Sequence, residues 1–298
     1  MSYDTERREI TVKAPAKINL SLDVTGTRED GYHLVRMVMQ TVALHDRVHL
    51  TRTVTPGIRL RSNLSYLPSD DRNLAVRAVR RLAGTYKLPG GIYIDLEKHI
   101  PVAAGLAGGS SDAAAALYGV NVLFGLGLTD EELMTIGLEL GADVPYCVMQ
   151  GTALAEGIGE KLTRLPQAPD CLVLLAKPQI RLSTAAVYGK LKLDEGFEHP
   201  MVDRQVQAIR DGDRKGMAEC MDNVLERVSA EDHPVIRKIR RVMDEYGAIG
   251  SMMSGSGPTV FGLFDDPDRI RAAHDELCGR TDLGLQMVCR TRFCPEMR

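Results

Sequence analysis

The chain has 298 residues, 44% of them apolar and 26% charged, with 37 lysines and arginines against 40 aspartates and glutamates for a formal net charge of −3. That length is long for one core and comfortable for two, so two domains are expected. The near balance of charge excludes a general attraction to nucleic acid or an anionic membrane; any phosphate site must be local, and the expected partner is a small molecule.

Residues 10–24 read as extended and alternate beyond Pro15, with Ile18, Leu20, Leu22 and Val24 expected on one face and Lys17, Asn19, Ser21 and Asp23 on the other. Lys17 and Asn19 therefore point the same way. Polar residues over 26–31 mark a loop, and 34–50 holds further strand-like runs. Leu74, Ala78, Leu82 and Tyr86 recur at four-residue steps, which predicts a helix over 73–86, and 91–96 returns to a strand.

The stretch that follows, PVAAGLAGGSSDAAAAL at 101–117, puts a phosphate cradle in front of a strong helix former. Gly105, Gly108 and Gly109 can take backbone conformations closed to other residues and let the main chain approach a ligand. Ser110 and Ser111 supply hydroxyls where the helix is expected to begin, so its positive end faces the glycine loop. That geometry binds phosphate. The alternative, small residues that merely pack two backbones closely, accounts less well for three glycines, two serines and an alanine helix in this order. The chain contains no GxxxxGK[ST], no GxGxxG opening a helix after a strand, and neither HRD nor DFG, so Walker, dinucleotide-fold and protein-kinase sites are excluded.

Thr129 with Glu132 makes a capping box for a helix ending near Gly141, and Pro145 is expected to push Val144 out of helical geometry, leaving Asp143 just past a helix end. GTALAE at 151–156 reads as a strand. The polar, proline-bearing stretch 160–170 carries the expected boundary between domains at 1–165 and 166–298. CLVLLAK at 171–177 is a buried strand, followed by helical patterns over 183–193, 202–211 and 234–246, a strand over 259–264, a helix over 266–278 and a closing strand over 285–292. The mixture predicts an α+β fold.

Phosphoryl transfer needs positioning, charge stabilisation and a group to orient or deprotonate the attacking hydroxyl. Asp143 is a candidate base and Lys17 a candidate to hold it ionised; a turn-forming Asp and a solvated strand Lys are the alternatives. SGSGPT at 254–259 is either a tight turn or a second wall of the phosphate site. The seven histidines form no HExxH and the carboxylates no cluster, so a protein-built zinc site is not expected. Magnesium carried by nucleotide phosphates, near Ser110 or Ser111, is expected instead. Cys147, Cys171, Cys220, Cys278, Cys289 and Cys294 include no CxxC pair and read as reduced, structural thiols. The charged start MSYDTERREI has no apolar signal region and no run of about eighteen apolar residues occurs, so no membrane partner is expected and a cytoplasmic enzyme is.

AKINLSLDVTGTREDGYH, PVAAGLAGGSSDAAAAL, GADVPYCVMQGTALAEGIGE and SGSGPTVF together resemble the conserved blocks of the GHMP kinase superfamily of galactokinase, homoserine kinase and mevalonate kinase, in family order and across nearly the whole chain. GGSSDAA with the upstream PAKINL and DGYH is narrower, and resembles the 4-diphosphocytidyl-2-C-methyl-D-erythritol kinase family of the non-mevalonate isoprenoid pathway. The resemblance implies an N-terminal domain like ribosomal protein S5 domain 2, a ferredoxin-like C-terminal domain, and a cleft where ATP phosphorylates the 2-hydroxyl of 4-diphosphocytidyl-2-C-methyl-D-erythritol to give ADP and the 2-phosphate. It implies Asp143 as general base, Lys17 as its partner and Asn19 close by. Pro101, Val102, Ala103, Ala104, Gly105, Leu106, Ala107, Gly108, Gly109, Ser110 and Ser111 would hold the ATP phosphates, with Asn73 near the adenine. Tyr32 and His33 inherit the cytidine end, where stacking and edge hydrogen bonding suit their side chains. Tyr188 matches an aromatic on the cytosine's other face, or else packs in the core. Ala107 stands where many relatives carry glycine, which leaves one amide less freedom.

Rival expectations are another GHMP alcohol kinase, for homoserine or isopentenyl phosphate, which has no cytosine for the GYH block to hold; mevalonate diphosphate decarboxylase, a lyase on the same scaffold; and an RNA-binding protein with an S5-like fold. The last needs a basic face that the charge balance does not provide.

Overall fold

The computed structural model describes residues 8–194 and 197–295. Its first half is a six-stranded sheet covered by helices. β1 (Glu9–Thr27) and β2 (His33–Thr53) form a long antiparallel pair, and β3 (Gly57–Ser62), α1 (Leu74–Tyr86) and β4 (Gly91–Glu97) lead to the glycine loop. α2 (Gly108–Phe124), α3 (Asp130–Leu138), α4 (Val144–Met149), β5 (Thr152–Glu156) and β6 (Lys161–Arg164) complete it. The strand order is β3-β4-β2-β5-β6, with β1 paired to β2.

The second half holds β7 (Leu172–Pro178), α5 (Thr184–Lys190), α6 (Val202–Arg210), α7 (Arg214–Glu219), α8 (Val224–Asp232), α9 (Val235–Glu245), β8 (Gly250–Met253), β9 (Val260–Phe264), α10 (Pro267–Gly279) and β10 (Leu285–Arg292). Its sheet runs β10-β7-β9-β8 with every neighbour antiparallel. Taken in chain order that is 4-1-3-2, the split-βαβ arrangement expected of a ferredoxin-like unit.

β1 departs from the single alternation read in its sequence. The pairing with β2 shifts between Pro15 and Lys17 and again between Asn19 and Ser21. A bulge re-aims the side chains beyond it. Ala16, Ile18 and Leu20 accordingly pack in a core with Val173, Leu175, Phe261 and Leu263 of the second sheet. Leu22 and Val24, expected on the same face, pack instead with Val12 and Ala14 in the core under α1 and α2. At about 1.5–3 kcal/mol for each large apolar side chain buried, the shared core joins the two sheets firmly.

Two helix starts also differ from expectation. α2 begins at Gly108, two residues before the serines. Val144 is helical, the first residue of α4, because Pro145 sits in the first turn where its missing N–H costs nothing; Asp143 is therefore the residue that opens α4. β3, β6, β8, α7 and α8 form where the sequence pattern marks no element.

Candidate active site

The bulges that bracket residues 17–19 aim Lys17 and Asn19 together. Lys17, 5% exposed, donates through Nζ to Asn19 Oδ1 at 2.7 Å and to the carbonyl oxygen of Gly105 at 3.2 Å. Asn19 is held in turn by its Nδ2 on Met37 Sδ at 3.1 Å. A lysine and an amide on a strand are thereby fixed against the glycine loop.

That loop is strained in a defined way. Gly105 has φ +77°, and a Cβ there would meet the carbonyl oxygen of Ser254 at 2.2 Å. Ala103 and Ala107 also lie in the left-handed region, at φ 51° and 56°, without being glycine. Such residues cost about 1–2 kcal/mol each and persist where their surroundings demand it. Ala107 opens α2, and no side chain caps the helix. Its first hydrogen bond runs from Ser111 N to the Ala107 carbonyl, so the amides ahead of it have no carbonyl partner in the helix. They face a ready-made anion position.

The 254–259 loop closes on the glycine loop. Ser254 Oγ donates to the Gly105 carbonyl at 3.0 Å, and Thr259 N to that of Ala104 at 3.3 Å. A Cβ on Gly255, at φ +58°, would come within 3.4 Å of both Lys17 Nζ and Asn19 Oδ1. Buried Asn223 holds this loop from behind, donating to the carbonyls of Met253 and Gly255 at 2.8 Å each. Nothing in the local sequence around Asn223 announces that role, since its partners lie thirty residues away.

These segments line one cleft of about 1170 Å³. Lys17, Asn19, Tyr32, His33, Asn73, Asp143 and Tyr188 all face it, as do Pro101, Val102, Ala103, Ala104, Gly105, Ala107, Gly108, Gly109 and Ser110. Two of the expected residues do not. Leu106 is buried in the core between the sheets. Ser111 is turned away and donates its hydroxyl to the Pro15 carbonyl at 2.7 Å, so it anchors α2 to β1.

Asp143 opens α4 without capping it, which leaves its carboxylate to the cleft. Its field is felt nearby. Burial pushes the Cys147 thiol up, Asp143 pushes it further, and Lys17 acts in the opposite sense. The Tyr188 hydroxyl is likewise raised, first by burial and then by Asp143. Among the residues lining the cleft, the rings of His33 and Tyr188 lie 4.9 Å apart at 41°, and Tyr32 is 60% exposed. Asn73, also lining the cleft, caps α1, accepting from Ala75 N at 3.0 Å and donating to the Pro68 carbonyl at 3.0 Å. Leu67, Pro68 and Leu74 add apolar wall.

Beneath the glycine loop lies a charged group that sequence reading missed. Lys98 bridges Asp46 and Asp112, reaching Asp112 at 2.7 Å, and all three are buried. Asp46 also accepts from His99 N at 2.5 Å and Ile100 N at 2.8 Å. Burial alone would lower Lys98, but the two carboxylates outweigh it and raise it. Burial pushes the Asp112 carboxyl up to about 8 against the pull of Lys98. Asp112 belongs to the glycine motif itself, which is the signal that was available.

No three His, Cys, Asp or Glu gather to hold a metal among the described residues. On this side Ser110 and Asp112 line the cleft, and Asp112 Oδ1 is a buried acceptor with no hydrogen-bond partner among the described residues. That sparse set fits magnesium, which keeps most of its ligands from phosphate and water.

The family description "GHMP kinases N terminal domain" matches residues 73–151, and "GHMP kinases C terminal" matches 205–281. A 4-diphosphocytidyl-2-C-methyl-D-erythritol kinase of Lachnospira eligens is 54% identical over 268 residues, covering 90% of this chain and 93% of its own. The chain belongs to the 4-diphosphocytidyl-2-C-methyl-D-erythritol kinase family of the GHMP kinases. The relative of that name in Lachnoclostridium phytofermentans is 51% identical over 267 residues, covering 90% of this chain and 92% of its own. A crystal structure of a 4-(cytidine 5'-diphospho)-2C-methyl-D-erythritol kinase superposes with TM-score 0.81 at 32% identity, covering 95% of this chain and 99% of that one. A homoserine kinase from Cytophaga hutchinsonii superposes at 0.79 with 19% identity, covering 99% and 97%, a likeness of fold alone. The two-domain α+β GHMP fold expected from the sequence is the one found. In this kinase family member the N-terminal match contains the glycine loop and Asp143, while Lys17, Tyr32 and His33 lie before it.

Proposed function

We propose that this kinase transfers the γ-phosphoryl group of ATP to the 2-hydroxyl of 4-diphosphocytidyl-2-C-methyl-D-erythritol, releasing ADP and the 2-phosphate, as a cytoplasmic step of the non-mevalonate isoprenoid pathway. The observation that carries the reading is convergence: the phosphate loop, the Lys17–Asn19 pair, the uncommitted Asp143 and the His33–Tyr188 rings share one cleft. We divide the chain at 165/166 into an ATP-binding and a C-terminal domain; the support is that β6 closes the first sheet at Arg164 and β7 opens the second at Leu172.

The nucleotide lies with its phosphates over residues 101–110, where the first amides of α2 and the helix's positive end hold them, and its base toward Asn73. Ser111 and Leu106 support the loop through its packing. Ser110 and Asp112 would be the residues to hold magnesium carried by the nucleotide, which would supply neutralisation of the charge on the transferring group. The acceptor's cytosine lies against Tyr188 and His33 with Tyr32 over the opening, which brings the erythritol hydroxyl toward Asp143. Asp143 takes the hydroxyl proton as the phosphorus–oxygen bond forms. Lys17, with two of its three donors on Asn19 and Gly105, turns the third to Asp143 and the transferring oxygens, stabilising charge where it develops.

A panel of acceptors with magnesium ATP, read by ADP release, tests the substrate. The cytidyl alcohol should be turned over far faster than homoserine or isopentenyl phosphate. Comparable rates with either, or release of carbon dioxide from mevalonate diphosphate, would reject the reading.

A further inference from the structure

A separate groove of about 730 Å³ lies where β2, β10 and the start of α10 meet. Arg47, Arg271, Arg290 and Arg292 line it with His45 and His99, and no carboxylate does. This in a chain of net charge −3 is a marked local excess of positive charge. Arg47 has a loose exposed pair with Glu97 at 3.5 Å, Glu97 also lies 3.2 Å from His99 Nε2, and Arg271 pairs with Asp268 at 3.2 Å. Arg290 and Arg292, exposed two residues apart on the edge strand β10, have no acidic partner among the described residues. Leu44, Leu172, Pro267 and Ile270 give the groove an apolar floor.

Guanidinium groups are the side chains that best match phosphate oxygens, and exposed ones without a carboxylate have no competing partner to displace. An apolar floor adds nothing to the recognition of inorganic phosphate; it favours a ligand with an apolar body, and the volume is that of a small-molecule site. We propose that this groove binds a small phosphorylated molecule, a diphosphate on an apolar body, and that its occupancy is felt at the ATP phosphate loop.

The connection runs through β2. Side chains alternate along a strand, so His45 and Arg47 face the groove while Asp46 between them points inward. Asp46 accepts from the backbone of His99 and Ile100 and pairs with Lys98, whose other partner is Asp112, the fifth residue of α2. His99, itself a groove residue, is thus one bond from the lysine beneath the glycine loop. A dianion that draws Arg47 and His99 toward itself pulls on the segment that leads into that loop.

The test is calorimetric titration of the full chain, saturated with ADP, with hexyl diphosphate and with inorganic pyrophosphate, in parallel with an R290A/R292A variant. Both substitutions are exposed and outside the cleft. Hexyl diphosphate should bind the parent at least tenfold more tightly than the variant and more tightly than pyrophosphate, with affinity falling as salt rises. It should also raise KM for ATP in the parent and leave the variant's unchanged, while turnover without added ligand is the same in both. Equal binding by parent and variant would overturn the site, equal binding of the two probes would overturn the apolar body, and an unchanged KM would overturn the coupling. Binding is read without turnover, so failure of the proposed kinase reaction leaves a separate signature.

Discussion

Lys17 donates to the carbonyl oxygen of Gly105 across 3.2 Å, so a side chain fixed on β1 is tied to the backbone of the phosphate loop. Ser254 donates to the same oxygen from the second half of the chain. One carbonyl therefore gathers β1, the glycine loop and the 254–259 loop. Replacing Lys17 with Met removes a charge at the point where charge develops; turnover should fall on the order of 10²–10³-fold. Steady-state rates with equilibrium ADP binding check this, and ADP affinity should stay within about threefold of the parent because its phosphates rest on α2 amides.

Asp143 does not cap α4, and among the described residues its carboxylate has no hydrogen bond or ion pair that Asn would lose. Asp143→Asn should reduce kcat on the order of 10²–10⁴-fold, the range of a lost general base, with melting temperature unchanged. A near-parental kcat would remove this residue from proton transfer.

Glycine and alanine in the loop should answer oppositely. Gly105→Ala places a methyl 2.2 Å from the Ser254 carbonyl at a positive φ, and should cost about 2–4 kcal/mol of stability or weaken ATP binding as the two loops part. Ala107→Gly relieves a left-handed alanine, partly offset by a freer unfolded chain, and should change stability by no more than about 1 kcal/mol with activity retained. Chemical denaturation of both variants measures the pair.

Much of this was legible because it is local. The cap at Thr129, the glycine-to-helix order, and the apolar runs of β7 and β9 are decided within a few residues, and each formed as its sequence implied. What was not legible depends on partners distant in sequence. The bulges in β1 are set by register against β2, and they divide Ile18 and Leu20 from Leu22 and Val24. Ser111 reads as a phosphate ligand until Pro15, ninety-six residues earlier, takes its hydroxyl. Nothing near Lys98 in the sequence signals the two carboxylates that close on it, fifty-two and fourteen residues away.

Asp112 gives a pH signature. Its carboxyl is raised to about 8 when folded, against about 3.9 unfolded. Between those values the folded chain binds more protons, so this group's contribution to stability declines as pH rises from about 4 through about 8. Asp112→Asn removes the titration while leaving Lys98 on Asp46. Parent stability should therefore fall relative to the variant over that interval, by at least about 1 kcal/mol, in denaturant titrations at matched pH. A parallel pH dependence would contradict the assignment.

Tyr188 lies against His33 in the cleft, with ring centroids 4.9 Å apart. Tyr188→Ala should raise KM for the cytidyl substrate about five- to hundredfold, the worth of a base-stacking contact, and leave KM for ATP near its parental value. Tyr188→Phe should retain most of the affinity.

The most direct measurement of the central claim uses ATP labelled in its γ-phosphoryl group with the cytidyl alcohol and magnesium, the product being analysed by phosphorus and carbon NMR. The label should appear as a phosphate monoester on carbon 2 of the erythritol, one for each ADP formed. Label released as inorganic phosphate, or attached at another hydroxyl, would contradict the account.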